Sequence, residues 1–119
     1  MPRRTTAIAP ALSVLALGSP LITGCTNQLA TQYFGQGVEK YDAGNYQGAI
    51  ADFAKVIEID PQSPNAYYNR GNAKKDLGDY QGAIVDYDMA IEINPQYGNA
   101  YNNRGAIKDA SGDRSSRSD

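Results

Sequence analysis

The 119-residue sequence contains no histidine and a single cysteine, Cys25. One thiol makes no disulfide within a chain, and without histidine there is neither a zinc site of the usual composition nor a Ser-His or Cys-His nucleophile. Basic runs are equally scarce: no lysine/arginine run exceeds two residues, and 11 bases face 13 acids. A phosphate backbone would find little counter-charge to displace, so nucleic-acid binding is not expected. Only Asp and Glu remain for acid–base chemistry, and acidic neighbours such as Asp86 and Asp88 read as an ordinary solvated helix face. No enzymatic activity, cofactor or metal is expected.

The apolar residues concentrate first near the N-terminus. Met-Pro-Arg-Arg precedes the largely apolar Ala7 to Leu17, then Gly18, Ser19, Pro20 and the small-residue approach to Cys25. A basic start, a short apolar middle and small residues at the end describe a secretory signal over residues 1–24. Pro10, Ser13, Gly18 and Pro20 interrupt the stretch, whereas a spanning helix needs about 20 predominantly apolar residues. Ile22-Thr23-Gly24-Cys25 resembles the lipobox of bacterial lipoproteins, with isoleucine where leucine is commonest. That resemblance implies lipidation of Cys25, by palmitate-type acyl chains, and a membrane-anchored protein of the cell envelope on its periplasmic or outer-membrane side. Plain secretion after cleavage near Gly18, with Cys25 left as a free thiol, is the alternative. The chain beyond residue 24 carries 9 bases and 13 acids, a net charge of −4, and residues 25–29 are expected to be a short tether.

The remainder repeats. Residues 32–65 match residues 66–99 at 17 of 34 positions, where chance gives two or three, and residues 100–113 match 66–79 at 8 of 14. A period of 34 is that of a helix–turn–helix solenoid unit. Apolar or small residues recur at helical spacing in Ala49, Ile50, Phe53, Val56 and Ile57, and again in Ala83, Ile84, Tyr87, Ala90 and Ile91. Gly44 and Gly78 are placed to stop first helices, Asn45 and Asp79 to cap second ones, and Pro61 and Pro95 to end them.

These features resemble the tetratricopeptide repeat family. Tyr67, Gly71, Ala83, Tyr87, Ala90 and Pro95 fill its consensus places in the second unit, as Tyr33, Gly37, Ala49, Phe53, Val56 and Pro61 do in the first. The resemblance implies an all-α, short right-handed solenoid of antiparallel helix pairs over residues 30–112, about two and a half repeats at 30–63, 64–97 and a partial 98–112. A polar stretch, 113–119, is expected to be a disordered tail. Five helices are close to the minimum for a continuous core, so a partner or a homo-oligomer is expected to help.

Two departures stand out: arginine (Arg70, Arg104) replaces the usual leucine, and lysine (Lys40, Lys74, Lys108) the usual tyrosine. Because each arginine follows a second helix bearing Asp52 or Asp86, inter-repeat pairs Arg70–Asp52 and Arg104–Asp86 are expected. The alternative is arginine stems lying along the surface.

By resemblance, the first helices line a concave groove for a peptide, with Phe34, Val38, Tyr41, Tyr68, Asn69, Asn72, Lys75, Asn102 and Asn103 as its candidates. Asn69 and Asn103 are 34 residues apart and are expected to stack, each amide free to pair with a peptide backbone or simply solvated. Chaperone-binding members clamp a terminal carboxylate with basic side chains. Phe34 and Val38 occupy places such a clamp needs, which argues against that activity. The expected role is a non-catalytic protein-interaction scaffold of the envelope, or alternatively a permanent assembly subunit that uses the solenoid ends.

Overall fold

The computed structural model describes residues 19–110, with side chains from Cys25 onward. The expected leader up to Gly18 and the expected tail at 113–119 lie outside these residues. Five α-helices follow one another: α1 (Ser19–Asp42), α2 (Tyr46–Ile59), α3 (Pro64–Asp76), α4 (Tyr80–Ile93) and α5 (Gly98–Ala110). They form two complete hairpins, α1/α2 and α3/α4, with α5 as the first helix of a third unit.

The turns are built from residues 34 positions apart that do the same work. Gly44 and Gly78 have φ of +83° and +89°, a left-handed conformation that only glycine adopts without strain. At each, two backbone bonds close the preceding helix: Gly44 N–H donates to the Tyr41 carbonyl and Asn45 N–H to that of Lys40, and Gly78 and Asp79 repeat this with Lys75 and Lys74. The next residue then caps the second helix, with Gly48 N–H donating to Asn45 and Gly82 N–H to Asp79, both at 3.0 Å. A Cβ on Gly48 or Gly82 would meet that cap within 2.5 Å, so glycine at the third helical position leaves the cap room. The second helices end at Ile59 and Ile93, ahead of Pro61 and Pro95, where Asp60 and Asn94 accept from the amides of Gln62 and Gln96.

Each hairpin closes with an aromatic ring against bare backbone. A Cβ on Gly37 would lie 2.7 Å from the Phe53 ring, and one on Gly71 would lie 2.9 Å from that of Tyr87. Ala49, Phe53, Ala73, Ala83, Tyr87, Ala90 and Ala100 are at most 1% exposed, so small residues surround the two rings.

Two expectations change. Residues 25–29 are helical rather than a free tether: α1 runs unbroken through them, with no proline or glycine between Cys25 and Ala30 to stop it. At 1.5 Å per helical residue this segment reaches less than half as far as an extended one. Tyr101, which by the family resemblance takes the packed aromatic place that Tyr33 and Tyr67 take in the first two units, is 41% exposed, and among the described residues no second helix follows α5.

Gly71→Ala is expected to destabilise the chain by about 1–3 kcal/mol, because the new methyl would have to displace the Tyr87 ring. Gly105 has nothing within 4 Å of its notional Cβ, so Gly105→Ala should be neutral or stabilising by up to about 1 kcal/mol of helix propensity. Thermal unfolding of the two variants measures the contrast; equal losses would contradict it.

Candidate functional site

The two hairpins bury a charge each, and the charges are held within the hairpin. Asp86 is fully buried on α4 and receives Arg70 of α3 in a two-pronged contact, Nε at 2.9 Å and Nη2 at 2.7 Å. Lys74, one turn further along α3, adds its ammonium at 3.1 Å. In the first hairpin Gln36 stands where Arg70 does, and Asp52 pairs with Lys40 alone, at 2.8 Å.

The expected inter-repeat pairs are therefore corrected. Asp52 faces into its own hairpin, where Lys40 takes it, so Arg70 does not pair with it. Asp86 is already enclosed by Arg70 and Lys74, and Arg104 instead contacts the half-exposed Asp88 at 2.6 Å. Arg70 and Arg104 also lie over the rings of Tyr67 and Tyr101, at 5.7 and 5.3 Å from the centroids, so their stems cover aromatic surface as well. The sequence signal that was available is the lysine–aspartate spacing of twelve, repeated at 40/52 and 74/86.

The expected groove residues divide between two junctions of first helices. Where α3 meets α5, the junction is polar. Tyr87 Oη donates to Asn72 Oδ1, which also accepts from Asn103 Nδ2 at 2.9 Å, and Asn103 Nδ2 lies 3.1 Å from Tyr68 Oη. Asn103 is thus engaged within the fold instead of forming a free ladder with Asn69, whose amide donates to the Asn65 carbonyl of its own helix at 2.8 Å. Tyr97 completes this junction. Its ring stacks on Tyr68 with centroids 5.0 Å apart, and its hydroxyl donates to Asn65 Oδ1 at 2.6 Å. Asn102 is exposed, and Asn69 and Lys75 are half-buried.

Where α1 meets α3, the junction is apolar and open. Phe34, Val38 and Tyr41 are half-buried against Ala49, Phe53 and Ala73, with Phe34 edge-on to Phe53 at 5.5 Å. Tyr41 Oη donates to Asp76 of α3. At the N-terminal end of this junction lies a cleft of about 370 Å³, walled by Asn27, Thr31 and Phe34 of α1, the end of α2 at Val56 and Asp60, and Ser63 and Asn65. A smaller hollow of about 280 Å³ lies between the start of α2 and the end of α3, at Ile50, Lys74 and Leu77. Among the described residues no group of His, Cys, Asp and Glu could hold a metal ion.

Two family models match the chain, "Tetratricopeptide repeat" over residues 64–97 and "TPR repeat" over 37–78. The chain is a tetratricopeptide-repeat solenoid. Among solved structures it is similar to the first TPR of Spaghetti (RPAP3) bound to the HSP90 peptide SRMEEVD, at 31% identity and TM-score 0.68, with 70% of this chain covered. It spans 66% of that chain, just under two thirds of its length. It is also similar to the TPR2B domain of yeast Sti1 in its pHsp70 complex, at 25% identity and TM-score 0.72 over 75% of this chain and 71% of that one. MamA matches at 27% identity and TM-score 0.68, covering 78% of this chain and 54% of MamA. No curated protein sequence matches significantly.

Burial holds the Tyr87 hydroxyl well above the usual phenol range, and burial followed by the Asp76 hydrogen bond does the same for Tyr41. A folded-state value above the unfolded one means that stability is complete below about pH 10, the ordinary tyrosine value, and falls as pH rises through it. Tyr87→Phe should cost about 1 kcal/mol at neutral pH by removing a donor from Asn72 Oδ1, and should flatten the alkaline fall. Denaturant titrations of both proteins between pH 7 and 11 measure this; an unchanged alkaline slope would contradict it. Removing the shared carboxylate tests the other feature. Asp86→Ala leaves Arg70 and Lys74 facing each other and should cost about 2–4 kcal/mol, more than Asp52→Ala, whose single lysine turns to water.

Proposed function

We propose that this TPR solenoid is a non-catalytic scaffold that binds a peptide or partner protein along the face formed by α1, α3 and α5. The observation that carries the reading is the open α1/α3 junction. Half-buried aromatic surface there borders a cleft large enough for side chains, and Asn69 of α3 has only an intrahelical bond. The similarity to TPR domains solved with HSP90 and Hsp70 ligands supports a peptide as the occupant. Phe34 and Val38 give the first helix of this face no charge, so the ligand is held through side chains rather than by a terminal carboxylate.

The large apolar residues that stay exposed among the described residues, Leu29, Leu77, Tyr80, Val85 and Tyr101, are dispersed over several helices and a turn. We further propose that Cys25, exposed on α1, is acylated and fixes the scaffold to the bacterial cell envelope, with α1 rising directly from the attachment point. Among the described residues no helix is long and apolar enough to cross a membrane, and two or more acyl chains suffice for stable anchoring.

A photo-crosslinking residue at Asn69 or Asn102 should capture a discrete partner in envelope preparations, whereas one at Val85, 60% exposed on α4, should not. Equal capture at all three positions would reject the groove. Cys25→Ser should abolish acyl labelling and move the protein from the detergent phase to the aqueous phase; unaltered partitioning would reject the anchor.

A further inference from the structure

The two junctions are built on the same 34-residue register, and one of them contains a side chain that the other lacks. In the α3/α5 junction Tyr97 lies on the ring of Tyr68 and hydrogen-bonds Asn65. Shifted back by 34 residues, Tyr97 becomes Ser63, Tyr68 becomes Phe34 and Asn65 becomes Thr31. Those three residues border the 370 Å³ cleft. The cleft is therefore the space that a tyrosine fills one repeat later. Serine at 63 cannot fill it, and its hydroxyl is turned to the start of α3, where it accepts from Ala66 N–H.

We propose that this cleft is a binding site for an aromatic side chain, preferentially tyrosine, supplied by the partner peptide. The proposal rests on the peptide-scaffold reading and names the side chain that such a peptide inserts. The ring stacks on Phe34 as Tyr97 stacks on Tyr68. Thr31 takes the place of Asn65 as acceptor: its hydroxyl already donates to the Asn27 carbonyl at 3.0 Å, which leaves its lone pairs for the incoming phenol. Asp60 at the rim disfavours a ligand carrying negative charge beside the ring. A leucine or valine would occupy the volume without the planar stacking, so the preference is for shape as well as for the hydroxyl.

N-acetyl-tyrosinamide, N-acetyl-phenylalaninamide and N-acetyl-leucinamide, titrated separately into the full chain and followed by NMR at the Thr31, Phe34 and Ser63 amides, test this directly. The tyrosine amide should give saturable shifts at millimolar concentration, the phenylalanine amide should bind several-fold more weakly, and the leucine amide should not saturate. Ser63→Tyr, which installs the side chain found one repeat later, should weaken tyrosine-amide binding at least tenfold and raise the melting temperature. Thr31→Val should bring the tyrosine amide down to the affinity of the phenylalanine amide without changing the latter. Equal binding of the leucine and tyrosine amides, or undiminished binding to a folded Ser63→Tyr protein, would overturn the proposal; Thr31→Val decides it should that variant not fold. A single amino-acid amide has no chain to lie along the helices. Failure here therefore leaves the groove reading to the crosslinking result, and failure there leaves this site standing or falling by the titration.

Discussion

An aromatic ring laid against a helix that has no side chain at that point sets the geometry of each hairpin. Phe53 meets Gly37, and Tyr87 meets Gly71, at distances that admit no methyl group between them. With Ala49 and Ala83 fully buried nearby, the second helix of each pair approaches the first more closely than larger residues would permit. The ionic contacts depend on that approach. Asp86 is sealed from water yet remains within reach of Arg70 and Lys74, and Lys40 reaches Asp52 in the same manner. Isolated burial of a carboxylate would be costly; here the cations arrive from the facing helix of the same unit. Of the side chains that depart from the family pattern, Lys40, Arg70 and Lys74 thus tie their hairpins internally, and Arg104 ties α5 to Asp88 of the preceding unit.

The two junctions between first helices differ by a small set of substitutions whose effects are coupled. Phe34, Val38 and Phe53 in the first correspond to Tyr68, Asn72 and Tyr87 in the second. Where the phenols and the amide are present, Asn103 has partners and the junction closes into a hydrogen-bonded seam. Where they are absent, the equivalent Asn69 has only a carbonyl of its own helix. The same junction lacks the tyrosine that Ser63 replaces, and a cleft results. Polarity and filling therefore vary together, leaving one apolar, unfilled junction beside one polar, filled one.

The helix boundaries were legible because each depends on a residue acting locally: a glycine that takes positive φ, an Asn or Asp that caps the amide three residues on, a proline that cannot continue a helix. The period of 34 carried the rest of the fold. Ion pairs were less legible. Sequence shows that Asp52 and Asp86 lie on second helices, but whether they face their own first helix or the next one depends on how the helices rotate as they pack. That first helices adjoin one another was legible, and the partners of their individual side chains less so, since Asn103 and Asn69 share a register position and differ only through neighbours on other helices. The contrast of Ser63 with Tyr97 was visible in the repeat alignment, and its meaning required knowing that Tyr97 fills a space.

Because the buried charged clamps lie within hairpins, cohesion between units rests, apart from the Arg104–Asp88 pair, largely on other groups, and tyrosine is among them. Tyr41 joins α1 to Asp76 of α3, Tyr68 accepts from Asn103 of α5, and Tyr87 reaches Asn72 and through it Asn103, while Tyr97 ties the end of the second unit back to Asn65 and Tyr68 at its start, where α5 adjoins it. A phenol is suited to joining helices because its ring covers apolar surface between them, while its hydroxyl finds an acceptor at the far side without a buried charge. The junction that has the fewest such contacts is also the one with open volume. An incoming side chain that completes it must meet the same requirements of planar area, a polar tip and no charge, which is why the chemistry that holds the repeats together also describes the ligand the open junction selects.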